Sequence, residues 1–299
     1  MLIIFCADPL DSNQADFMYS AEVEAVKSLG LDYDLISFED LIAGNANRAV
    51  RHIKNQADTV GIYRGWMLKP AQYEQLYRAL LSRGVQLIND STAYQHCHYL
   101  PDSYDIIGPH TPKSVWMKTD GNILMPDIMS RLAVFGEQPL IVKDYVKSQK
   151  HYWNEACFIP NAADSVGVER VVRRFLELQG GDLNEGLVFR AFVDFEPLST
   201  HAKSGMPLTK EFRVFYVDGQ ALSYVEYWEQ GDYQNLTPPL DKFAEIAKNI
   251  HSRFFTMDIA KRKDGEWMIV ELGDGQVAGL PEKTDAVAFY RELAHRLNQ

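Results

Sequence analysis

Cysteine is scarce in this chain. Cys6, Cys97 and Cys157 are odd in number, scattered, and without a CxxC pair. That excludes a disulfide framework and fits a reducing, cytoplasmic setting in which the three thiols are buried rather than catalytic. No apolar run approaches the roughly 18 residues that cross a bilayer, so no membrane association is expected. The opening MLIIFCADP has no basic segment ahead of its apolar stretch and meets Asp8 too early for a secretory signal. Basic clusters are also missing. With a net charge of −11, the chain lacks the patches on which sequence-independent nucleic-acid binding rests, and a nucleic-acid partner is not expected.

Several catalytic signatures are absent too. There is no GxxxxGK[ST] phosphate loop and no GxSxG nucleophile elbow. The stretch GDGQVAG at 273–279 has the wrong glycine spacing for a dinucleotide turn, and the chain ends before the second strand such a unit requires. His96 and His98 flank Cys97 without a third ligand at metal spacing, which leaves zinc unsupported.

What is present reads as an ordinary globular protein, 46% hydrophobic and 24% charged, long enough for two or three compact units. Residues 1–105 alternate strand-like and helix-like segments, as a parallel α/β sheet requires. The proline-bearing stretch HCHYLPDSYDIIGPHTPKS reads as a loop-rich crossing. From about 112 onward strands and hairpins dominate, giving an α+β half with antiparallel sheets. The boundaries expected are 1–110, 111–185 and 186–299.

The chemistry gathers on a few strands. Two apolar runs flank Asp264-Gly265 in FFTMDIAKRKDGEWMIVELGDGQ, a signal for a hairpin with a two-residue type I′ turn. Counting outward from that turn places Asp258 opposite Glu271. Facing Cβ atoms lie about 4.5–5.5 Å apart, where like charges repel. A slipped register, a shared proton or a nearby arginine is one explanation. A divalent cation is the other, since Mg²⁺ is commonly held by one or two carboxylates plus substrate phosphates. A second Asp-Gly turn, Asp218-Gly219, puts Glu211, Arg213 and Phe215 on one strand face. Arg213 is either a structural ion-pair partner for Glu211 or an oxyanion ligand. Lys143 ends the strand PLIVKDYV, and the polar loop after it carries Lys147, Ser148 and Lys150; such groups either snorkel to solvent or hold phosphates.

This order of elements resembles the ATP-grasp superfamily: a small α/β domain, a strand-end lysine, a polar loop, an arginine hairpin, then paired Asp and Glu strands. In detail it is similar to the phage- and bacteria-associated clade named for its arginine and lysine signature. The resemblance implies a pre-ATP-grasp domain followed by two α+β lobes that clamp Mg·ATP. It implies Lys143 and Lys150 as phosphate ligands, Phe192 and Val193 as the hinge backbone at adenine, and Glu196 at the ribose. Arg213 would face the γ-phosphate or an acyl phosphate, and Asp258, Glu271 and Asp274 would hold the metal. Asp274 stands in for the usual Asn of a Glu-x-Asn motif, and Thr256 stands where an arginine is common.

The implied activity is an ADP-forming carboxylate–amine (or thiol) ligase that works through an acyl phosphate. A phosphotransferase acting on a non-carboxylate acceptor and a non-catalytic nucleotide-binding module are the alternatives. Substrates would be small-molecule or peptide carboxylates and amines. Arg64, in YRGW, is the one candidate from the first domain. A homodimer is the default assembly.

Overall fold

The computed structural model describes residues 1–298. Its first sheet is built from β1 (Leu2–Cys6), β2 (Tyr33–Ile36), β3 (Thr59–Arg64) and β4 (Val85–Leu87), all parallel, in the order β2-β1-β3-β4. The helices α1 (Ser20–Ser28), α2 (Phe38–Ile42), α3 (Ala46–Ala49) and α4 (Pro70–Leu81) connect these strands. Parallel neighbours need such crossovers, and the alternating pattern of the first hundred residues is their trace.

The stretch read as a loop-rich crossing instead holds the end of α5 (Ser91–His98) and all of α6 (Leu100–Ile107). Pro101 lies in the first turn of α6, where its missing N–H would have no helical partner anyway. These helices pack Cys97, Leu100 and Ile107 into the core of the last sheet.

A second sheet follows, made of β5 (Ser114–Lys118), β6 (Leu140–Asp144), β7 (Phe158–Ile159) and β8 (Gly186–Ala191), antiparallel in the order β5-β8-β6-β7. Helices α7 (Met125–Leu132), α8 (Trp153–Ala156) and α9 (Ser165–Gln179) accompany it. Strand β8 sits between β5 and β6, so the expected boundary before residue 186 is corrected: this lobe runs through Ala191, and the hinge comes after it.

The third sheet holds β11 (Glu211–Val217), β12 (Gln220–Glu226), β13 (Phe254–Lys261) and β14 (Trp267–Asp274), in the order β12-β11-β13-β14. A short ribbon of β9 (Pro197–Thr200) and β10 (Pro207–Thr209) precedes it. Helix α10 (Leu240–Asn249) covers the sheet, and α11 (Ala286–Leu297) ends the described chain. The architecture is thus an α/β domain followed by two antiparallel α+β lobes, as expected.

One face of the first sheet packs into a core of the domain's own, with Leu2, Ile4, Tyr73, Leu76 and Leu87, and the other face is shared. Ile3, Phe5, Val26 and Ile62 share one buried cluster with Phe215, Phe254, Phe289 and Leu293 of the last lobe. Polar groups lock the same seam. Arg64 is 1% exposed; its Nε and Nη2 donate to both oxygens of Glu22, at 2.9 and 3.0 Å. Its Nη1 donates to the carbonyls of Gly275 and Ala278, at 2.6 and 2.8 Å. Arg64 therefore holds the segment after β14 against the first domain. Asn89 does the same from β4's end, donating to the Phe254 carbonyl and to Asp274.

Truncating Arg64 would strand the Glu22 carboxylate inside. Breaking a buried pair from one side costs roughly 3–5 kcal/mol. Arg64→Met is expected to lower unfolding free energy by about that much in a denaturant titration, and Glu22→Gln/Arg64→Met to recover part of it. A single variant as stable as wild type would refute this structural role.

Candidate active site

The hairpin of β13 and β14 does bring Asp258 opposite Glu271, but by a different route from the one expected. The turn is a three-residue loop, with Arg262 and Glu266 closing it and Gly265 at φ +91°. That is the type I turn plus left-handed residue of longer hairpins. Lys263 cannot face Glu266 because its N–H donates to the carbonyl of Asp194 in the hinge. A bulge between Asp258 and Ile259 then restores the register that the longer loop shifted. The second hairpin closes as expected, with Asp218 and Gly219 at φ +47° and +73°, the two positive values a type I′ turn requires.

The facing carboxylates are each met by a cation from another strand. Arg213 on β11 pairs in register with Asp258. Its Nε lies 2.9 Å from Oδ1 and its Nη2 2.7 Å from Oδ2, and its guanidinium lies 4.7 Å from the Tyr227 ring centroid. Arg213 therefore binds Asp258, not the Glu211 on its own strand. Lys143, 7% exposed at the end of β6, places Nζ 2.5 Å from Glu271 Oε1. Lys150, in the loop after β6, sits 5.8 Å from the ring centroids of both Tyr227 and Trp228. Burial works against the Glu271 charge, but Lys143, Lys150 and Arg190 outweigh it and bring its pKa down to about 2.

Two further charged groups join the cluster. Glu211 is buried, and burial together with Asp258 pushes its pKa up to about 8. Its signal was the alternation that put it beside Arg213. Arg190 on β8 reaches across to the β14 carbonyl of Val270 and to Thr111 Oγ1, each at 2.5 Å. Burial without a carboxylate partner lowers its pKa to about 10. No periodic pattern marked it, because its neighbours on β8 are buried on both faces.

Three of the expected site residues already have partners within the protein. Asp274 lies three residues after Glu271, hence on the other face of the strand. It is fully buried and accepts from Asn89 Nδ2, Gln276 N and Gln276 Nε2, so it is part of the domain seam, while it also borders the cavity lined by Asp258 and Glu271. The Asn position of the motif is Gly273, where a Cβ would stand 2.8 Å from Thr256 Oγ1. Glu196 is held by Lys210 and Lys261, at 3.0 and 3.3 Å, outside the cavity that Phe195 and Pro197 line. At the hinge, the Phe192 N–H is already donated to the Pro139 carbonyl, whereas the backbone groups of Val193 have no partner among the described residues.

These elements frame two cavities. One, of about 230 Å³, lies under the hinge and is walled by Ile141, Trp153, Phe192 and Leu208. The other, of about 270 Å³, lies between the last lobe and the first domain and is lined by Met67, His98, Arg213 and Asp258. They meet at Ser148, Lys150 and Glu271, which border both. His96 and His98 point to different places: His96 stacks on His251 and His98 on Tyr94. Among the described residues no group of three or more His, Cys, Asp or Glu gathers as a metal cluster, so Asp258 and Glu271 are a pair without a third such ligand.

Similarity to known proteins agrees with this geometry. The fold is that of D-cycloserine synthetase DcsG, with a TM-score of 0.62, 14% identity and coverage of 99% and 100% of the two chains. The D-alanine–D-alanine ligase of Bacillus anthracis complexed with ATP matches with a TM-score of 0.57, 12% identity and coverage of 100% and 98%. The ATP-grasp ligase PsnB, complexed with a minimal precursor, Mg and ADP, matches with a TM-score of 0.57, 13% identity and coverage of 99% and 98%. No curated protein sequence matches the chain. Residues 134–293 match the model of an ATP-grasp domain, family 3 of the clade named for its arginine and lysine signature, and the chain belongs to that family.

Proposed function

We propose that the protein is an ATP- and Mg²⁺-dependent carboxylate–amine ligase that forms a carbon–nitrogen bond through an acyl phosphate and releases ADP. The observation that carries this reading is the junction of the two cavities. An apolar pocket beneath a hinge with free backbone groups suits a base, and the polar pocket beside it suits an acceptor. Between them stand Lys150 and Glu271, where a phosphoryl group would pass from one to the other.

Each side chain then has a role in this reading. Val193 meets the adenine through its backbone. Lys143 and Lys150 neutralise the phosphates, in a site where buried cations act more strongly than in water. Arg213 faces the transferred phosphoryl group and the acyl phosphate, with Asp258 fixing its orientation. Asp258 and Glu271 would hold Mg²⁺; each carboxylate keeps lone pairs beyond those used by Arg213 and Lys143, and two carboxylates plus phosphates are a sufficient donor set for that ion. Bound there, the ion would neutralise charge on the β- and γ-phosphates. Closure of the lobes would keep water from a hydrolysable intermediate.

The first test is a thermal melt with ATP, once with Mg²⁺ and once with EDTA. A ligand at a hundred times its Kd adds roughly 2.7 kcal/mol to the folded state. Stabilisation that needs both ATP and Mg²⁺ is expected; none with either would end this reading. Lys143→Met is expected to reduce the ATP shift while changing free-protein stability by about 1 kcal/mol or less, because Glu271 is 37% exposed and retains Lys150 nearby.

Asp258→Asn is expected to do two things. It removes the Mg²⁺-dependent part of the shift, and it destabilises the free protein because Arg213 loses its counter-ion. Removal of one member of a buried pair costs roughly 3–5 kcal/mol, and the low end applies here since Arg213 is 15% exposed. An Asp258→Asn protein that keeps the full Mg²⁺-dependent shift would exclude a metal role for the pair.

A further inference from the structure

A ligase of the kind proposed above must hold a second substrate, the attacking amine, beside the activated carboxylate. The cavity of about 270 Å³ next to Glu271 is of amino-acid size and has one unexplained feature. His98 borders it, is only 7% exposed, and has no hydrogen-bond partner at either ring nitrogen. A neutral imidazole carries one N–H donor and one lone pair. Buried polar groups left unmade cost roughly 1–3 kcal/mol each, and native structures rarely leave them so.

The surroundings fix the ring without satisfying it. His98 closes the last turn of α5 and stacks on Tyr94 at 4.6 Å, which stacks in turn on Tyr73 at 3.9 Å. Stacking sets the plane of the imidazole and leaves its nitrogens at the edge. Burial lowers its pKa to about 4; Glu271 acts the other way and Lys147 and Lys143 reinforce it. The ring is therefore uncharged at neutral pH and does not repel a cationic or amine-bearing ligand. Lys147 borders the same cavity and would engage an acidic group on that ligand.

Resting on the ligase reading, we propose that His98 binds the acceptor: its unpaired ring nitrogen accepts a hydrogen bond from the attacking amine and holds that amine against the junction at Glu271. This assigns the acceptor site to a residue that precedes both lobes in the chain. It also separates the two half-reactions by residue. Lys143, Lys150 and the hinge serve the nucleotide, and His98 serves the nucleophile without bordering the nucleotide cavity.

The test uses wild type, His98→Phe and His98→Asn with Mg·ATP and, as probes, the free amino acids of both hands. Phenylalanine preserves the stack on Tyr94 and removes both nitrogens, so folding is expected to survive and is checked by the melt of the free protein. Acid activation is read with excess hydroxylamine, a small nucleophile that needs no anchoring, as hydroxamate. Ligation is read as amide from amino-acid pairs.

His98→Phe should keep the Mg·ATP melt shift and the hydroxamate rate, while its kcat/KM for the amine falls about tenfold or more, mostly through KM. His98→Asn should recover part of that loss, since its amide can accept a hydrogen bond. Amide formation by the Phe variant within roughly twofold of wild type would overturn the assignment. So would hydroxamate and amide rates that fall together. Absence of hydroxamate from wild type with every acid would instead remove the ligase reading, and this proposal with it.

Discussion

Two carboxylates face each other across one strand pair, and the rest of the site is arranged around that constraint. Asp258 and Glu271 would repel at the spacing of an antiparallel ladder. The repulsion is cancelled from two directions: Arg213 comes from the neighbouring strand of the same sheet, and Lys143 from the other lobe. The second contact spans the gap between the lobes at the point where the two cavities meet.

The same charge logic orders the remaining groups. Lys150 is held against Tyr227 and Trp228; burial opposes its charge, but Tyr227 and the nearby carboxylates Glu271, Glu211 and Asp258 raise its pKa above the ordinary lysine value. Glu211 shows the converse, being driven toward the neutral form by burial and by Asp258. For such a group the sign is plain. Its folded pKa of about 8 exceeds the ordinary value, so the stability it contributes is present in acid and fades as pH rises toward 8.

Away from the chemistry, the first domain is fastened by groups that resemble site residues in sequence. Arg64, Asn89, Asp274 and Gln276 form a fully buried seam. Burial raises the Asp274 pKa to about 6 even though Asn89 and Gln276 donate to it. This backing sets the distance from the last lobe at which His98 of α5 borders the polar cavity.

Much of the fold was legible because it rests on local periodicity. Alternating strands and helices in the first hundred residues, and Asp-Gly turns between apolar runs, are short-range signals. They sufficed for the α/β domain and the two antiparallel lobes, whereas Asp258 meets Glu271 only because a bulge offsets the longer loop. Periodicity tells which face a side chain occupies and says nothing about what stands across from it. Hence only the tertiary structure decided that Arg213 meets Asp258 rather than Glu211, and that Glu196 is taken by two lysines. It alone joined β8 to the earlier lobe, shifted the hairpin loop by a hydrogen bond from Lys263 to the hinge, and corrected that shift with a bulge. His98, read in sequence as half of an incomplete metal motif, became notable only when folding buried its nitrogens without a partner. Each of these depends on contacts between residues far apart in the chain, which no local pattern encodes.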